Sequence, residues 1–319
     1  MMISKEKERS IAMLPCTLCP HLCGARRAAG EVGHCRSTDE IRIARAAPHH
    51  FEEPPISGTK GSGTVFFVGC SLSCLFCQNK SISRGNAGHA VNEAALADTL
   101  LSLADTGVHN LNLVTGTHFT PQIARVLEKI KPRLQIPVVW NSSGYECVET
   151  LRLLDGLVDI YLPDFKYSDD TLARTYSGAP DYAAHATAAI REMYRQTGAV
   201  FFDNEGLLKK GTVIRHLVLP GCRLDSLAVL EKMEYVERRR SDSDRRITLV
   251  YPTEKAVSSC DKIRVAFREW NEYINAAFTE EEAKQFILLF EKAARRAAEY
   301  AETELDGVDF SEEDGGEEK

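Results

Sequence analysis

The sequence predicts an α/β fold in which parallel strands alternate with helices. Short apolar runs alternate with helical patterns from residue 65 to residue 251, and parallel neighbouring strands need helical crossovers of this kind. The chain has 319 residues, 44% of them hydrophobic, which suits one main domain with a small appendage. Periodicity alone does not separate an open partial barrel from a doubly wound sheet.

The strands and helices of the main domain, expected at residues 61–260, follow in order. The first strand, at 65–68, leads directly into a cysteine-rich loop. Asn92 is a suitable N-cap for the next helix, and Gly107 is placed to end it. Further strands are predicted at 110–114, 137–140, 157–162, 212–219 and 247–251, and further helices begin near residues 120, 145, 181 and 225. Together they make six strand and helix units.

Segments of different composition flank this domain. Residues 1–60 form an N-terminal cysteine-rich segment and a linker, because residues 48–62 are rich in proline, glycine and serine. Residues 261–305 are expected as a helical extension. Residues 306–319 are acidic, and we expect them to be a disordered tail.

The charge and the hydrophobic pattern argue against several classes of function. The net charge is −7, but residues 302–319 contribute −8, so the rest of the chain is nearly balanced. Such a body has no basic field for a nucleic-acid backbone, and we expect no nucleic-acid partner. The sequence has no run of 18 uncharged apolar residues and no apolar leader. We therefore expect a cytoplasmic protein without a membrane partner.

Four cysteines near the N-terminus have the spacing of a metal site. Cys16, Cys19, Cys23 and Cys35 follow C-x2-C-x3-C-x11-C. A two-residue gap lets one turn present two sulfurs to one metal. The spacing predicts a closed four-thiolate site, and both zinc and an iron-sulfur cluster satisfy it. Four unligated thiols are the alternative.

A second group of cysteines follows the first strand. Cys70, Cys74 and Cys77 form C-x3-C-x2-C within TVFFVGCSLSCLFCQNK. A [4Fe-4S] cluster normally takes four cysteines, so three leave one iron open to a cofactor or substrate. The alternative is a structural site whose fourth cysteine lies elsewhere in the chain. The group is therefore a candidate catalytic centre.

At these residues the chain resembles the radical S-adenosylmethionine (SAM) enzymes, whose signature is C-x3-C-x-aromatic-C. Phe76 stands at the aromatic position, and Cys-Gln-Asn at 77–79 resembles the Cys-His-Asn of the pyruvate formate-lyase activating enzymes. The best overall match is to uncharacterised homologues of those enzymes. The resemblance extends from Cys16 to about Gly221, and it implies a partial (β/α)6 barrel with an N-terminal cysteine-rich metal-binding segment.

The resemblance also implies where SAM is held, because ligands gather at the carboxyl ends of parallel strands. Thr115, Gly116 and Thr117 stand where relatives carry Gly-Gly-Glu, without the glutamate. Structural turns and a salt bridge at the rim are the competing interpretations. The implied cofactor-binding residues are Phe76, Asn79, Thr115, Gly116, Thr117, Asn141, Ser143, Asp164 and Lys166. Arg215 and His216 are adjacent on a strand, so only one of them faces the barrel interior.

The implied function is reductive cleavage of SAM to methionine and a 5′-deoxyadenosyl radical, which then takes hydrogen from a substrate. The substrate is not readable; a glycyl-radical protein, another polypeptide and a small molecule all stay open. The expected electron donor is a low-potential protein such as flavodoxin or ferredoxin. Two further classes compete: a non-catalytic iron-sulfur protein for electron transfer or redox sensing, and a zinc-organised interaction module.

Overall fold

In a computed structural model of the chain, the structure describes residues 15–85, 87–240 and 248–305. The strands are β1 (Arg42–His49), β2 (Ser62–Phe67), β3 (His89–Ala90), β4 (Leu111–Val114), β5 (Val138–Ser142), β6 (Ile160–Pro163), β7 (Phe201–Phe202), β8 (Leu208–Thr212), β9 (Val236–Arg240) and β10 (Thr248–Pro252). The helices are α1 (Pro54–Ser57), α2 (Lys80–Ser83), α3 (Glu93–Asp105), α4 (Thr120–Ile130), α5 (Val148–Arg152), α6 (Asp170–Ser177), α7 (Tyr182–Thr197), α8 (Arg223–Lys232), α9 (Glu254–Asn275) and α10 (Glu280–Leu305).

The larger sheet runs in the order β3-β1-β2-β4-β5-β6-β8-β7. Strands β2, β4, β5, β6 and β8 are parallel neighbours, whereas β1, β3 and β7 pair antiparallel at the two sides. The two edge strands, β3 and β7, do not pair with each other, so the sheet does not close into a barrel. The prediction of an α/β fold with an open, partly parallel sheet is confirmed.

The parallel strands have two faces of different character. One face, here called the helix face, carries Leu113, Trp140 and Tyr161, which belong to one buried apolar cluster with the leucines of α3 and the apolar side of α4. Asn92 caps α3 as predicted, because its side chain accepts from the N–H of Ala95 at 2.8 Å. Burial on this side accounts for the long apolar runs in the sequence.

The opposite face, here called the site face, follows from the strand register. Asn141 pairs with Leu162 across β5 and β6, and Asp164 bridges to Arg215 just beyond β6 and β8. Residues that pair directly, and those two positions further along a strand, share one face. Five buried apolar residues fill the lower part of this face: Ile56, Val139, Ile160, Leu162 and Leu208.

The predicted sixth unit was wrong. Strand β10, expected in the main sheet, pairs antiparallel with β9 in a separate two-stranded sheet. The strand predicted at 212–219 is also different, because β8 ends at Thr212 and only an isolated bridge at Arg215 follows. The apolar run of β10 pairs with β9, the strand before it in the chain. An antiparallel hairpin needs only a short connection, and the apolar periodicity of the sequence does not reveal it.

The chain divides into two compact units, Met1–Lys232 and Met233–Lys319, earlier than the boundary expected at residue 260. The second unit contains the β9–β10 hairpin, α9 and α10. Thr279 and Glu282 form a capping box at the start of α10, with the N–H of Thr279 donating to the carboxylate at 2.9 Å. The predicted tail at 306–319 lies outside the described residues. Among the helices that the structure describes, none is long and apolar enough to span a bilayer.

Candidate functional site

The cysteine loop begins where β2 ends, at the carboxyl edge of the parallel strands. Gly69 has φ +91°, and a Cβ atom there would lie 2.5 Å from the carbonyl oxygen of Cys35. Only glycine allows this approach. The next residue, Cys70, donates its N–H to the same carbonyl at 3.2 Å. The backbone of the N-terminal cysteine group therefore supports the start of the cysteine loop.

Each sulfur of the loop has a hydrogen-bonding neighbour. The N–H of Leu72 donates to Cys70 Sγ at 3.3 Å, and the hydroxyl of Ser177 donates to Cys74 Sγ at 3.0 Å. Cys77 Sγ lies 3.4 Å from a serine hydroxyl in α2. Donors to cysteine sulfur are among the features that set the potential of an iron-sulfur cluster. The donor set therefore fits a cluster.

Burial keeps the thiols of Cys70 and Cys74 protonated in the absence of a metal. It raises the pKa of Cys70 to about 12, and it raises the pKa of Cys74 although the positive charge of Lys166 opposes the shift. Metal binding at this loop must therefore release protons.

Lys166 joins the loop to the ends of the strands. Its Nζ donates to the carboxylate of Asp164 at 2.6 Å and lies 6.0 Å from the centre of the Phe76 ring. Burial lowers the pKa of Lys166, but the charge of Asp164 and the hydrogen bond to its carboxylate raise it above its ordinary value. The residue is thus a mostly buried cation beside the cysteine loop, which is where the resemblance had placed it.

Arg215 extends this network across the site face. Its Nε donates to Asp164 at 2.9 Å and its terminal nitrogen donates to Asn141 Oδ1 at 2.6 Å. His216 lies on the other side, where its ring nitrogens contact the carbonyl of Phe165 at 2.7 Å and the hydroxyl of Ser226 at 3.1 Å. Only Arg215 faces the site, in line with the alternation expected of a strand.

Thr117, in the segment after β4, was expected to bind the cofactor, but its side chain contacts another residue of the protein. Its hydroxyl is buried and donates to Glu146 at 2.9 Å. Glu146 also accepts from the indole of Trp140 at 2.9 Å and from Ser142 at 2.6 Å, and burial raises its pKa. The Thr117 hydroxyl therefore already has a protein partner, and Glu146 supplies a buried carboxylate that the sequence analysis had not singled out.

The other implied residues contribute backbone in the structure. Thr115 has a left-handed φ of +60°, and the carbonyl of Gly116 accepts from Phe119 at 2.8 Å. The carbonyl of Ser143 accepts from Tyr182 at 2.8 Å. Asn79 is exposed at the start of α2, and its carbonyl accepts from two N–H groups of that helix.

The four N-terminal cysteines surround a small turn. The sulfurs of Cys23 and Cys35 both border Gly33, at 3.4 and 3.5 Å from the position of a Cβ atom there. Arg27, only 4% exposed, lies beside Cys16 and donates to main-chain carbonyls, including that of His118 at 2.6 Å. Within the described ranges, no three cysteine, histidine or acidic side chains converge tightly enough for a single metal ion. The second metal site stays a prediction.

Two functional candidates escaped the sequence analysis because they lie in the supposed linker. Glu52 accepts from Asn112 Nδ2 at 3.0 Å and lies 3.6 Å from Arg215, and Glu53 lies 3.7 Å from the same guanidinium. The available signal was a pair of acids directly before two prolines and an apolar residue. We had assigned that stretch to a linker from its composition alone.

Comparison with known proteins agrees with this geometry. Residues 64–207 match the model of the Radical SAM superfamily, so this part of the chain is a radical SAM domain. An uncharacterized protein of Methanocaldococcus jannaschii is 29% identical over 272 residues, which cover 77% of this chain and 74% of that protein. A radical SAM domain implies an iron-sulfur cluster and SAM.

Two further similarities are shorter. The anaerobic ribonucleoside-triphosphate reductase-activating protein of Escherichia coli K12 is 28% identical over 127 residues, or 36% of this chain and 82% of that protein. The HTH-type transcriptional regulator BilQ of Clostridium symbiosum is 31% identical over 61 residues, or 19% of this chain and 42% of that protein. The first is named as a reductase-activating protein, and the cysteine motif resembles that of activating enzymes.

Proposed function

We propose that the chain is a radical SAM enzyme whose cluster is a [4Fe-4S] centre held by Cys70, Cys74 and Cys77. The observation that carries this proposal is the arrangement of three thiols and one mostly buried cation, Lys166, at the carboxyl ends of two parallel strands of the same sheet, β2 and β6. When bound, the cluster and SAM supply a 5′-deoxyadenosyl radical, formed with methionine by one-electron cleavage of the sulfonium. The protein's own residues have to bind, orient and protect.

Lys166 is suited to hold the carboxylate of SAM. Its ammonium group is mostly buried and retains its charge because Asp164 lies 2.6 Å away. Phe76, with its ring beside that ammonium, offers an apolar face for the adenine. Charge-assisted hydrogen bonds in a partly dry site are stronger than neutral ones, so this lysine orients the cofactor as well as binding it.

The loops that carry these groups are tightly fixed. The hydroxyl of Tyr182 lies within hydrogen-bond distance of the carbonyls of Ser143 and Asp164, at 2.8 and 2.9 Å, and accepts from the N–H of Lys166 at 3.0 Å. A Cβ atom at Gly144 would lie 2.2 Å from the Asp164 carbonyl. This close packing holds Lys166 in place before the cofactor binds, which lowers the entropic cost of orientation.

For the substrate we propose a polypeptide. The support is the similarity to a protein named as a reductase-activating protein and the cysteine loop's likeness to activating enzymes. A low-potential flavodoxin or ferredoxin would serve as electron donor. The competing class, a non-catalytic iron-sulfur protein, needs no residue for SAM and gives no role to Lys166.

Anaerobic reconstitution with iron and sulfide, followed by reduction with dithionite in the presence of SAM, tests the proposal. We expect 5′-deoxyadenosine and methionine in equal amounts. A well-loaded protein that yields neither would instead be an electron carrier or sensor.

A second candidate function belongs to the unit that begins at Met233. Strand β9 carries Arg238, Arg239 and Arg240 in succession, all exposed. We propose that this strand contacts nucleic acid through its phosphates, contrary to the expectation from net charge. Fluorescence anisotropy with a labelled DNA duplex should show binding that weakens with salt. Arg240→Ala should weaken it and Arg125→Ala should not; equal binding by both variants would refute a role for β9.

A further inference from the structure

Glu52 and Glu53 are fixed against the site face although they lie far from it in sequence. The N–H of Glu52 donates to the hydroxyl of Ser57 at 2.9 Å. Ile56, 2% exposed, packs in the apolar cluster below the site, and its carbonyl accepts from Asn110 at 2.7 Å. Helix α1 therefore anchors the acidic pair, and the two carboxylates have a defined position.

Glu52 contacts three different strands or strand ends. Its carboxylate accepts from Asn112 on β4 at 3.0 Å and from Asn141 on β5 at 3.4 Å, and it lies 3.6 Å from Arg215 beyond β8. Its side chain is only 10% exposed. Since Arg215 also binds Asp164, the acidic pair is continuous with the network that reaches Lys166 and the cysteine loop.

Two buried acceptors of this network have no donor among the described residues. Asn112 is fully buried, and while its Nδ2 donates to Glu52, its Oδ1 has no partner. Glu53 Oε2 is likewise buried and unpartnered. A buried polar atom left without a hydrogen bond is destabilising, because it has lost its contacts with water and gained none in the protein. Both atoms would therefore be satisfied by a ligand that donates N–H groups.

The charges of the network favour the same kind of ligand. Three carboxylates, Glu52, Glu53 and Asp164, face two cations, Arg215 and Lys166. A ligand with one positive charge brings the net charge of these five groups to zero, whereas an anionic ligand makes their net charge more negative. In a partly buried site a compensating charge counts for more than at the surface.

We propose that Glu52 and Glu53 bind a cationic N–H donor of the substrate, an alkylammonium or guanidinium group, and hold it below the cysteine loop. This inference rests on the proposed function, because it names the substrate class for the same site. The two carboxylates and Asn112 Oδ1 accept from the ligand, while Arg215 stays bound to Asp164 and Asn141.

The test is a binding measurement on the full chain without SAM or reductant. Methylguanidinium and n-butylammonium are titrated and followed by saturation-transfer NMR, with N-methylurea as a neutral donor of similar shape to methylguanidinium. We expect at least one cation to bind about tenfold or more tightly than N-methylurea. Glu53→Gln and Glu52→Gln should weaken that binding about tenfold. Glu93→Gln, which changes a carboxylate paired with Arg125 and Lys129, should not.

Several outcomes overturn the inference: equal binding of N-methylurea, unchanged binding in Glu53→Gln, or displacement of the probe by equimolar potassium, which would indicate a metal-ion site. If Glu53→Gln does not fold, Glu53→Asp keeps the charge, withdraws the carboxylate by one methylene and must also weaken binding. The assay is independent of SAM cleavage. Loss of probe binding in a chain that forms 5′-deoxyadenosine refutes this inference alone, and retained binding in a chain that cannot cleave SAM refutes the proposed function alone.

Discussion

The two cysteine groups are joined through the backbone, yet their surroundings differ. The carbonyl of Cys35, the last cysteine of the N-terminal group, accepts from the N–H of Cys70, the first cysteine of the loop, at 3.2 Å. The N-terminal group has four thiols, beside the buried Arg27, whose guanidinium donates to main-chain carbonyls and to Cys16. The cysteine loop has three thiols, and the neighbouring charges belong to Lys166 and Asp164.

The number of thiols and the nearest side chains together decide what a metal centre can do. Four thiolates close a coordination shell and leave no position for a substrate. In the proposed enzyme, three thiolates beside a cation at the carboxyl edge of a sheet would leave an open iron and a partner for the cofactor's carboxylate.

The largest effect is expected from Cys74→Ser. A hydroxyl is a poor ligand for iron, and loss of one of three thiolates should abolish cluster binding and 5′-deoxyadenosine formation. Liquid chromatography of the reconstituted, reduced protein with SAM measures the product. Cys260→Ser, at an exposed cysteine of α9, is the matched control and should keep activity. Full activity in Cys74→Ser would remove the distinction between the groups.

Next is the double variant Cys16→Ser, Cys19→Ser. If the N-terminal group is a closed site of its own, this variant should lose the metal of one site and retain the iron bound at residues 70–77. Elemental analysis for zinc and iron identifies the metal that is lost. An unchanged metal content would mean that the first group binds none.

A smaller effect is expected from Lys166→Met, which keeps the length of the side chain and removes its charge. A hydrogen bond to a charged group is worth about 1.5–3 kcal/mol, so we expect SAM to bind about 10- to 100-fold more weakly. Equilibrium binding of SAM to the reconstituted protein measures it. Lys129→Met, at an exposed lysine of α4, should bind SAM normally. Unchanged affinity in Lys166→Met would leave the cysteine loop without its proposed cofactor contact.

The smallest effect concerns His118, at the junction of the two groups. Its ring contacts the carbonyl of Val68 at 2.8 Å, its own carbonyl accepts from Arg27, and burial lowers its pKa to about 3. Below pH 6.5 the unfolded chain binds a proton that the native histidine does not, so stability is lost as the pH falls. The free energy of unfolding should drop by about 2 kcal/mol between pH 6.5 and 5.

Urea denaturation at the two pH values measures this drop. The part due to this residue should be missing in His118→Gln and retained in His185→Gln, where the substituted histidine is partly exposed. An equal drop in all three proteins would show that His118 does not contribute.

The part of the fold that was predictable is the part that repeats. Alternating apolar runs and caps such as Asn92 specify neighbouring parallel strands, because each unit is local in sequence. Strand alternation also separates Arg215 from His216. The β9–β10 hairpin was missed because Val236–Arg240 is polar and charged, so no apolar run marked the partner of β10.

The candidate site was predictable only where a motif marks it. The cysteine loop was identified from its spacing and the Asp164–Lys166 pair from the family resemblance, and in the structure the ammonium of Lys166 lies 2.6 Å from the carboxylate of Asp164. Glu52 and Glu146 were not identified, because a carboxylate's role depends on which distant donors surround it. Their partners come from other strands and loops, and no local pattern in the sequence records them.

The most direct test of the open iron is electron paramagnetic resonance of the reduced, reconstituted protein before and after addition of SAM. If the cluster held by residues 70–77 leaves one iron without a protein ligand, SAM should change the spectrum of the reduced cluster. If SAM leaves the spectrum unchanged in a chain shown to contain the cluster, the proposal that SAM binds an open iron is contradicted.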